Sequence, residues 1–224
     1  MKKFFGFTLA EVLITLGIIG VITAITIPTL IQNYKKHVVV TKLKKSYADF
    51  NHAFMMVVAE NGTSDLPISY DLRAGANDVY NYLRKYLNVV KECQGGDTSC
   101  FPPFVQANGS SDAYIGNIKN KNLKTFILQS GVSGAIWTHD YGYKKGWLIL
   151  DIDGPKKGPS VLGRDIFAIE WQIQADSELI TYSRISDAER ETLISDCKSK
   201  GGFLCSLLII KDGWTIKSDY PLKL

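Results

Sequence analysis

Residues 1–28 read MKKFFGFTLAEVLITLGIIGVITAITIP, and this stretch decides how the chain is organised. From Phe7 to Ile27 it holds 21 residues with a single charged side chain, Glu11. As a helix at about 1.5 Å per residue, this run is roughly 31 Å long, the thickness of a bilayer core. We therefore predict a membrane-spanning segment over residues 7–30.

An ordinary secretory signal peptide is the alternative, with Lys2 and Lys3 as its basic start. Such a peptide needs an apolar region of only ~7–15 residues and a small-x-small cleavage site. No good site closes the run, because bulky Ile22 lies two places before Ala24. A carboxylate in hydrocarbon costs on the order of 3 kcal/mol, which a plain anchor has no reason to bear. We therefore expect Glu11 to be functional.

The letters GFTL at residues 6–9, then Glu11 and an apolar run to Pro28, resemble the prepilin cleavage and methylation motif of type IV pilins and type II secretion pseudopilins. In that family a prepilin peptidase cuts after the glycine and methylates the new terminal amine. The resemblance implies that residues 1–6 are a leader peptide and that the cut falls between Gly6 and Phe7. Glu11 then matches the family's acidic position.

The physical chemistry of the cut agrees with this resemblance. Cutting exposes an ammonium group at Phe7, because α-amino groups titrate at about pH 8. Glu11 is favoured near its own helix start, but among identical helices it can instead meet the Phe7 amine of a neighbour. In low dielectric this pairing would fix the axial stagger of the helices. Pro28 removes one helix hydrogen bond, and we expect a kink there.

The resemblance also implies partners and a location. The partners would be prepilin peptidase, an inner-membrane assembly platform, and copies of the chain or related pilins. The chain would sit in the inner membrane with its head in the periplasm, and later in an extracytoplasmic fibre at the cell surface. Five lysines between residues 35 and 45 outnumber Lys2 and Lys3, so the positive-inside rule alone favours the opposite orientation. We nevertheless place the head outside the cytoplasm. Its paired cysteines indicate an oxidising compartment, and the family's peptidase cuts the leader at the cytoplasmic face of the membrane.

The composition is that of a folded protein, with 224 residues, 46% of them hydrophobic, and a net charge of +4. That charge is too small to indicate nucleic acid as a partner. Four cysteines form two close pairs, and neither has the two-residue gap of a zinc knuckle, so disulfides are favoured. Three connectivities remain open, of which neighbour pairing closes the shortest loops. Disulfides indicate an oxidising compartment. The cysteines are Cys93, Cys100, Cys197 and Cys205.

Residues 7–61 are predicted to form one helix of roughly 80 Å, membrane-spanning in its first half and amphipathic in its second. Fewer than three heptads favour packing on the chain's own head over a coiled coil. Asn61-Gly62 ends the helix, since glycine supplies a left-handed stop. The apolar stripe of the second half has a three-four spacing and consists of Val40, Leu43, Tyr47, Phe50, Phe54 and Val57.

Residues 62–224 are predicted to form a globular head of the α+β class. Apolar spacing indicates a helix over residues 77–90. Strand-like segments at 125–129, 132–138, 146–152 and 166–173 predict an antiparallel sheet. A capping-box pattern at residues 186–189 opens a short helix that Gly201-Gly202 closes. Residues 206–211, followed by Asp212-Gly213, predict a terminal hairpin.

Asp151, Asp153 and Asp165 lie around a glycine turn and are candidate calcium ligands, because alternating acids before such a turn converge. The loop departs from the EF-hand pattern, and a solvated turn is the alternative reading. No nucleophile, phosphate-loop or dinucleotide motif is present. We therefore expect a protein that is not an enzyme and has no cofactor besides this candidate calcium ion.

These patterns together predict a structural pilin-like subunit that polymerises through its N-terminal helix. The fibre would be a type IV pilus or a type II secretion-type pseudopilus, serving adhesion, motility, DNA uptake or secretion. The sequence does not separate a major pilin from a minor pilin or a pseudopilin. The alternative from another class is a membrane-tethered extracytoplasmic binding or adhesion module that uses the leader only for export.

Overall fold

One long helix, α1 (Leu9–Asn61), dominates the computed structural model, which describes residues 6, 8–63, 66–69, 71–110, 122–138, 145–158, 160–172, 188–199 and 201–224. Its 53 residues correspond to a length of about 80 Å. The helix stops at Gly62, whose φ of 65° lies in the left-handed region that glycine adopts without steric cost. The predicted helix end at Asn61 is confirmed.

The first half of α1 leaves its apolar side chains uncovered. Leu9 is 79% exposed and Leu30 is 70% exposed, and every large aliphatic residue between them is at least 42% exposed. Within the described residues, α1 is the one helix long and apolar enough to cross a membrane. A continuous apolar surface of this kind requires lipid or other apolar helices around it.

The second half of α1 packs on the head. Leu43, Phe50, Phe54 and Val57 are at most 6% exposed. Tyr47 is partly buried against the same cluster. The predicted stripe therefore faces the chain's own head, as the short heptad pattern favoured.

Five antiparallel strands form the main sheet of the head. In sheet order they are β1 (Val89–Gln94), β3 (Lys124–Leu128), β4 (Ser133–Thr138), β5 (Lys145–Asp151) and β7 (Ile166–Gln172). Two short strands, β2 (Phe104–Val105) and β6 (Ser160–Val161), pair in parallel beside it. The other helices of the described residues are α2 (Leu72–Leu83), α3 (Arg190–Ser199) and α4 (Cys205–Lys211). The α+β class and the four predicted strands are confirmed.

Both faces of the sheet are buried, and successive side chains along each strand alternate between them. Ile136, Leu148 and Ile169 are aligned across β4, β5 and β7 and belong to the cluster that includes α1 and α2. Their chain neighbours Ala135 and Ile149 belong to a second cluster on the opposite face. The sheet is thus the middle layer of the head.

Phe126 marks the point where α1, α2 and the sheet meet. Its ring centroid lies 6.0 Å from that of Phe50 and 5.4 Å from that of Tyr80. Gly134 is its partner on β4, and a Cβ at Gly134 would lie 2.3 Å from the Phe126 ring. A glycine is therefore needed at this position to admit the aromatic ring.

The two disulfides join neighbouring cysteines. Cys93 in β1 is bonded to Cys100 in the following turn, and Cys197 in α3 is bonded to Cys205 at the start of α4. Of the three connectivities that the sequence left open, the structure has the one with the shortest loops. The first bridge closes a turn, whereas the second ties two helices together.

The helix predicted over residues 77–90 is wrong in its second half. α2 ends at Leu83, and Val89 and Val90 lie in β1, where Val89 pairs with Leu128. Apolar spacing alone did not distinguish a helix from a strand, because the outcome depends on pairing with β3, where Val89 has a partner and Val90 lies at an irregularity between Val89 and Lys91.

The predicted terminal hairpin is also wrong. Residues 205–211 form α4, whose side chains at Leu208 and Ile209 are completely buried. A short, fully apolar run fits a buried helix as well as a strand. Gly213, with φ of 70°, stops the helix, and the Trp214 N–H donates to Ile209 O at 2.9 Å. The Asp-Gly pair thus ends a helix and does not form a hairpin turn.

The helix predicted before Gly201 is present as α3, but residues 186–187 of its capping pattern lie outside the described residues.

Candidate functional site

Thr8 and Glu11 close the start of α1 with a reciprocal set of hydrogen bonds. Glu11 Oε2 accepts from the backbone N–H and the hydroxyl of Thr8, both at 2.8 Å. The backbone N–H of Glu11 donates to Thr8 Oγ1 at 3.3 Å. This arrangement is a capping box, which satisfies backbone N–H groups that a helix start otherwise leaves without partners.

The capping role of Thr8 was not predicted from the sequence. The letters TLAE at residues 8–11 match the T-x-x-E pattern of a capping box, so the signal was present. The processing motif occupies the same letters and drew attention to Glu11 alone. The structure shows that Glu11 caps its own helix, and its role in assembly stays a prediction.

Glu11 keeps the capacity for a second partner. Both of its bonds use Oε2, and in the described part of the chain Oε1 accepts no hydrogen bond. The side chain is exposed among exposed apolar residues such as Leu9 and Val12. In a low-dielectric setting, a cationic N–H group is the partner that such a carboxylate oxygen attracts most strongly.

Gly6 precedes the capping residues and is exposed. Among the described residues, a Cβ at this position would meet no atom within 4 Å. The role of Gly6 in processing stays a prediction. Phe7 lies outside the described residues, and its role as the mature N-terminus stays a prediction.

Pro28 lies inside α1, and the helix continues through it. Proline has no N–H to donate, so the carbonyl of Ala24 loses its usual partner. Nearby, Thr26 Oγ1 donates to Ile22 O at 3.0 Å, a contact of the type that bends helices. The kink at Pro28 itself stays a prediction.

Asp151 and Asp153 come together at the end of β5. Asp151 is completely buried, and its Oδ1 accepts from the backbone N–H groups of Asp153 at 3.2 Å and Gly154 at 3.0 Å. Within the described residues, Asp151 Oδ2 and Asp153 Oδ1 are buried and lack hydrogen-bond partners. Burial, and secondly the adjacent Asp153 carboxyl, raises the pKa of Asp151 to about 7.

Asp165, the third candidate calcium ligand, is engaged elsewhere. Its carboxylate accepts from the backbone N–H of Val161 and pairs with Arg164 Nη2 at 3.0 Å. No group of three metal-binding side chains occurs in the regions that the structure describes. The two unpaired oxygens of Asp151 and Asp153 are the hard donors that calcium prefers. Calcium binding stays a prediction, and these two residues would be its ligands.

Comparison with known families identifies the N-terminal segment. Residues 29–126 match a family of unknown function (DUF6613). The matched segment begins directly after Pro28 and ends within β3. No curated protein and no solved structure matches the chain. Residues 1–27 match the prokaryotic N-terminal methylation motif. This motif, ahead of a bare apolar helix and an α+β head, supports a likeness of the chain to type IV pilins and pseudopilins.

Proposed function

We propose that this chain is a structural subunit that polymerises through α1 into a type IV pilus or a type II secretion-type pseudopilus. The observation that carries the proposal is the methylation motif joined to a helix whose first half is apolar and uncovered. In a membrane that surface is covered by lipid, and in a fibre it is covered by the same surface of neighbouring subunits. The role is structural, and we assign no catalytic residue.

The processing step prepares the helix for this exchange. Cleavage after Gly6 would remove Lys2 and Lys3, the two cations ahead of the apolar run. The apolar segment would then carry two charged groups, the ammonium of Phe7 and the carboxylate of Glu11. One positive and one negative group then lie near the same end of each helix.

Glu11 would set the register between neighbouring helices. A buried carboxylate without a partner costs several kcal/mol, so a bundle of α1 helices is favoured where each Glu11 meets an ammonium. One helical turn corresponds to about 5.4 Å, and a slip of that size would separate the two charges. Because Thr8 holds Oε2, the oxygen Oε1 can accept from the neighbour without breaking the helix cap.

Three substitutions separate charge pairing from helix capping. Glu11→Val removes both roles, while Glu11→Gln keeps an N3 side chain that completes a capping box and removes the charge. Thr15→Val is the matched control, because the Thr15 hydroxyl bonds only to Glu11 O and Val12 O of its own helix among the described residues. Membrane insertion, leader cleavage and sheared surface fibres are measured for each variant.

We expect all three variants to insert and to be cleaved. Fibre yield should fall for both Glu11 variants and stay near the wild-type level for Thr15→Val. Normal fibres from Glu11→Gln would refute the register role and leave capping as the function of this acid. A processed wild-type chain that stays monomeric in the membrane would instead support a tethered binding module.

A further inference from the structure

A groove of about 590 Å³ lies where the base of the head meets α1. One wall is formed by four residues of α1, and the opposite wall by five residues of the head. These are Tyr34, Lys35, Val38 and Val39, and Asp153, Lys157, Gly158, Arg164 and Asp165. Residues 223–224 close one end. No part of the proposed assembly mechanism uses this groove.

The groove gathers cations that have no counterions. Within the described residues, the ammonium groups of Lys35, Lys157 and Lys223 line it without forming an ion pair. Arg164 also lines it, but pairs with Asp165 at 3.0 Å and contributes no net charge. With Asp153 as the remaining side-chain acid, three unpaired lysines and one carboxylate leave a net side-chain charge of +2, which the α-carboxylate of Leu224 reduces to +1. The groove is therefore complementary to an anion.

Its position along α1 places the groove at the level of lipid headgroups. The exposed apolar surface extends to Ile31, and Tyr34, which is 69% exposed, follows within one turn. Lys35 lies about 6 Å beyond Ile31 along the helix axis. The headgroup layer of a bilayer extends roughly 5–7 Å beyond the hydrocarbon, so Lys35 lies at the depth of the headgroups. Tyrosine and lysine are the side chains that favour this layer.

We infer that the groove binds the phosphate of an anionic phospholipid in the leaflet nearest the head. The three lysines would hold the phosphate, and Val38 and Val39 offer an apolar wall to the glycerol and the first acyl carbons. Clusters of basic residues next to a membrane helix attract anionic lipids in this way. The bound lipid would orient the head on the membrane before assembly. The inference rests on the membrane-anchored stage of the proposed function.

The test measures binding of short-chain phosphatidylglycerol to the unassembled full chain in detergent, by native mass spectrometry. Phosphatidylcholine is the neutral comparison lipid. The double variant Lys157→Gln/Lys223→Gln removes two groove charges. The matched control Lys156→Gln/Lys198→Gln removes two exposed lysines that do not line the groove. All four side chains are exposed, so folding should be unaffected.

We expect the groove variant to bind phosphatidylglycerol about thirtyfold more weakly, or about five- to sixfold per lysine. The control should lose less than about twofold, and Lys157→Arg/Lys223→Arg should bind nearly as the wild type does. Equal affinity for the two lipids, or equal losses in both double glutamine variants, would overturn the inference. Displacement of the lipid by an equal concentration of inorganic phosphate would assign the groove to a free anion and overturn the lipid assignment.

The assay is independent of polymerisation, because it uses the unassembled chain. A subunit that fails to bind lipid but still forms Glu11-dependent fibres would refute the lipid site alone. A subunit that binds lipid but never polymerises would refute the proposed fibre role alone.

Discussion

Asp151 makes the stability of the head depend on pH in an unusual direction. In the folded chain its pKa is raised from 3.8 to about 7, first by burial and second by the Asp153 carboxyl. The unfolded chain therefore ionises this group at a lower pH than the folded chain does. The stabilising contribution is fully present below pH 3.8 and is lost as pH rises through about 7.

The size of the effect follows from the same two values. The difference between 7 and 3.8, at about 1.4 kcal/mol per pH unit, corresponds to about 4 kcal/mol. Asp151→Asn keeps an Oδ1 acceptor for the N–H groups of Asp153 and Gly154 but carries no charge. Compared with wild type, this variant should gain little below pH 4 and up to about 4 kcal/mol at pH 8.

Urea unfolding of the full chain in detergent, with a calcium chelator present, measures this difference. Tryptophan fluorescence, to which the buried Trp171 (1% exposed) contributes, reports on the core. Asp49→Asn is the control, since it removes only a surface pair with Lys45 and should cost ~0–1 kcal/mol. Parallel pH profiles for wild type and Asp151→Asn would refute the reasoning. If Asp151 binds calcium, adding the ion at pH 8 should stabilise the wild type and leave Asp151→Asn unchanged.

Three further predictions concern the stability of the head, each measured as the free energy of unfolding in urea. Phe50→Ala should lower this free energy by about 3–5 kcal/mol, because the side chain is completely buried. Met55 is 52% exposed on the same helix, so Met55→Ala should change it by about 0.5 kcal/mol or less. Equal losses would contradict the packing of α1 on the head. Arg190→Gln should lower the free energy of unfolding by about 2–3 kcal/mol. The variant loses two hydrogen bonds to Asp212, at 2.6 and 2.8 Å, and the Asp212 side chain is only 4% exposed. An unchanged midpoint of urea unfolding would contradict this. Replacing Cys197 and Cys205 together by alanine should lower it by about 2–3 kcal/mol, as expected for a bridge across 8 positions, and no loss would show that the bridge is dispensable.

Periodic patterns predicted most of the fold because the buried face of a helix or strand needs an apolar residue at every period of that element. The stripe of α1 and the strands β3, β4, β5 and β7 were all readable from apolar spacing. The same spacing failed at Val89 and at Leu208, where the outcome depends on contacts with distant strands and helices. Short apolar segments carry too few residues to distinguish a period of 3.6 from a period of 2.

The candidate site was readable only in part. Glu11 stands out because a charge in an apolar run has a large desolvation energy, whereas Thr8 contributes a modest helix cap that needs no unusual residue. Asp165 was grouped with Asp151 by its closeness in sequence to the same turn. Its side chain is instead turned towards Arg164 and Val161 N–H, and no pattern in the sequence encodes that choice.

The mass of the intact chain, purified from the membranes of a host that has a prepilin peptidase, tests the central claim most directly. We expect the mass of residues 7–224 with one added methyl group and four hydrogens fewer, one pair for each disulfide. A mass equal to that of all 224 residues, or a mature chain that begins anywhere other than Phe7, would contradict processing at Gly6 and the assembly mechanism that depends on it.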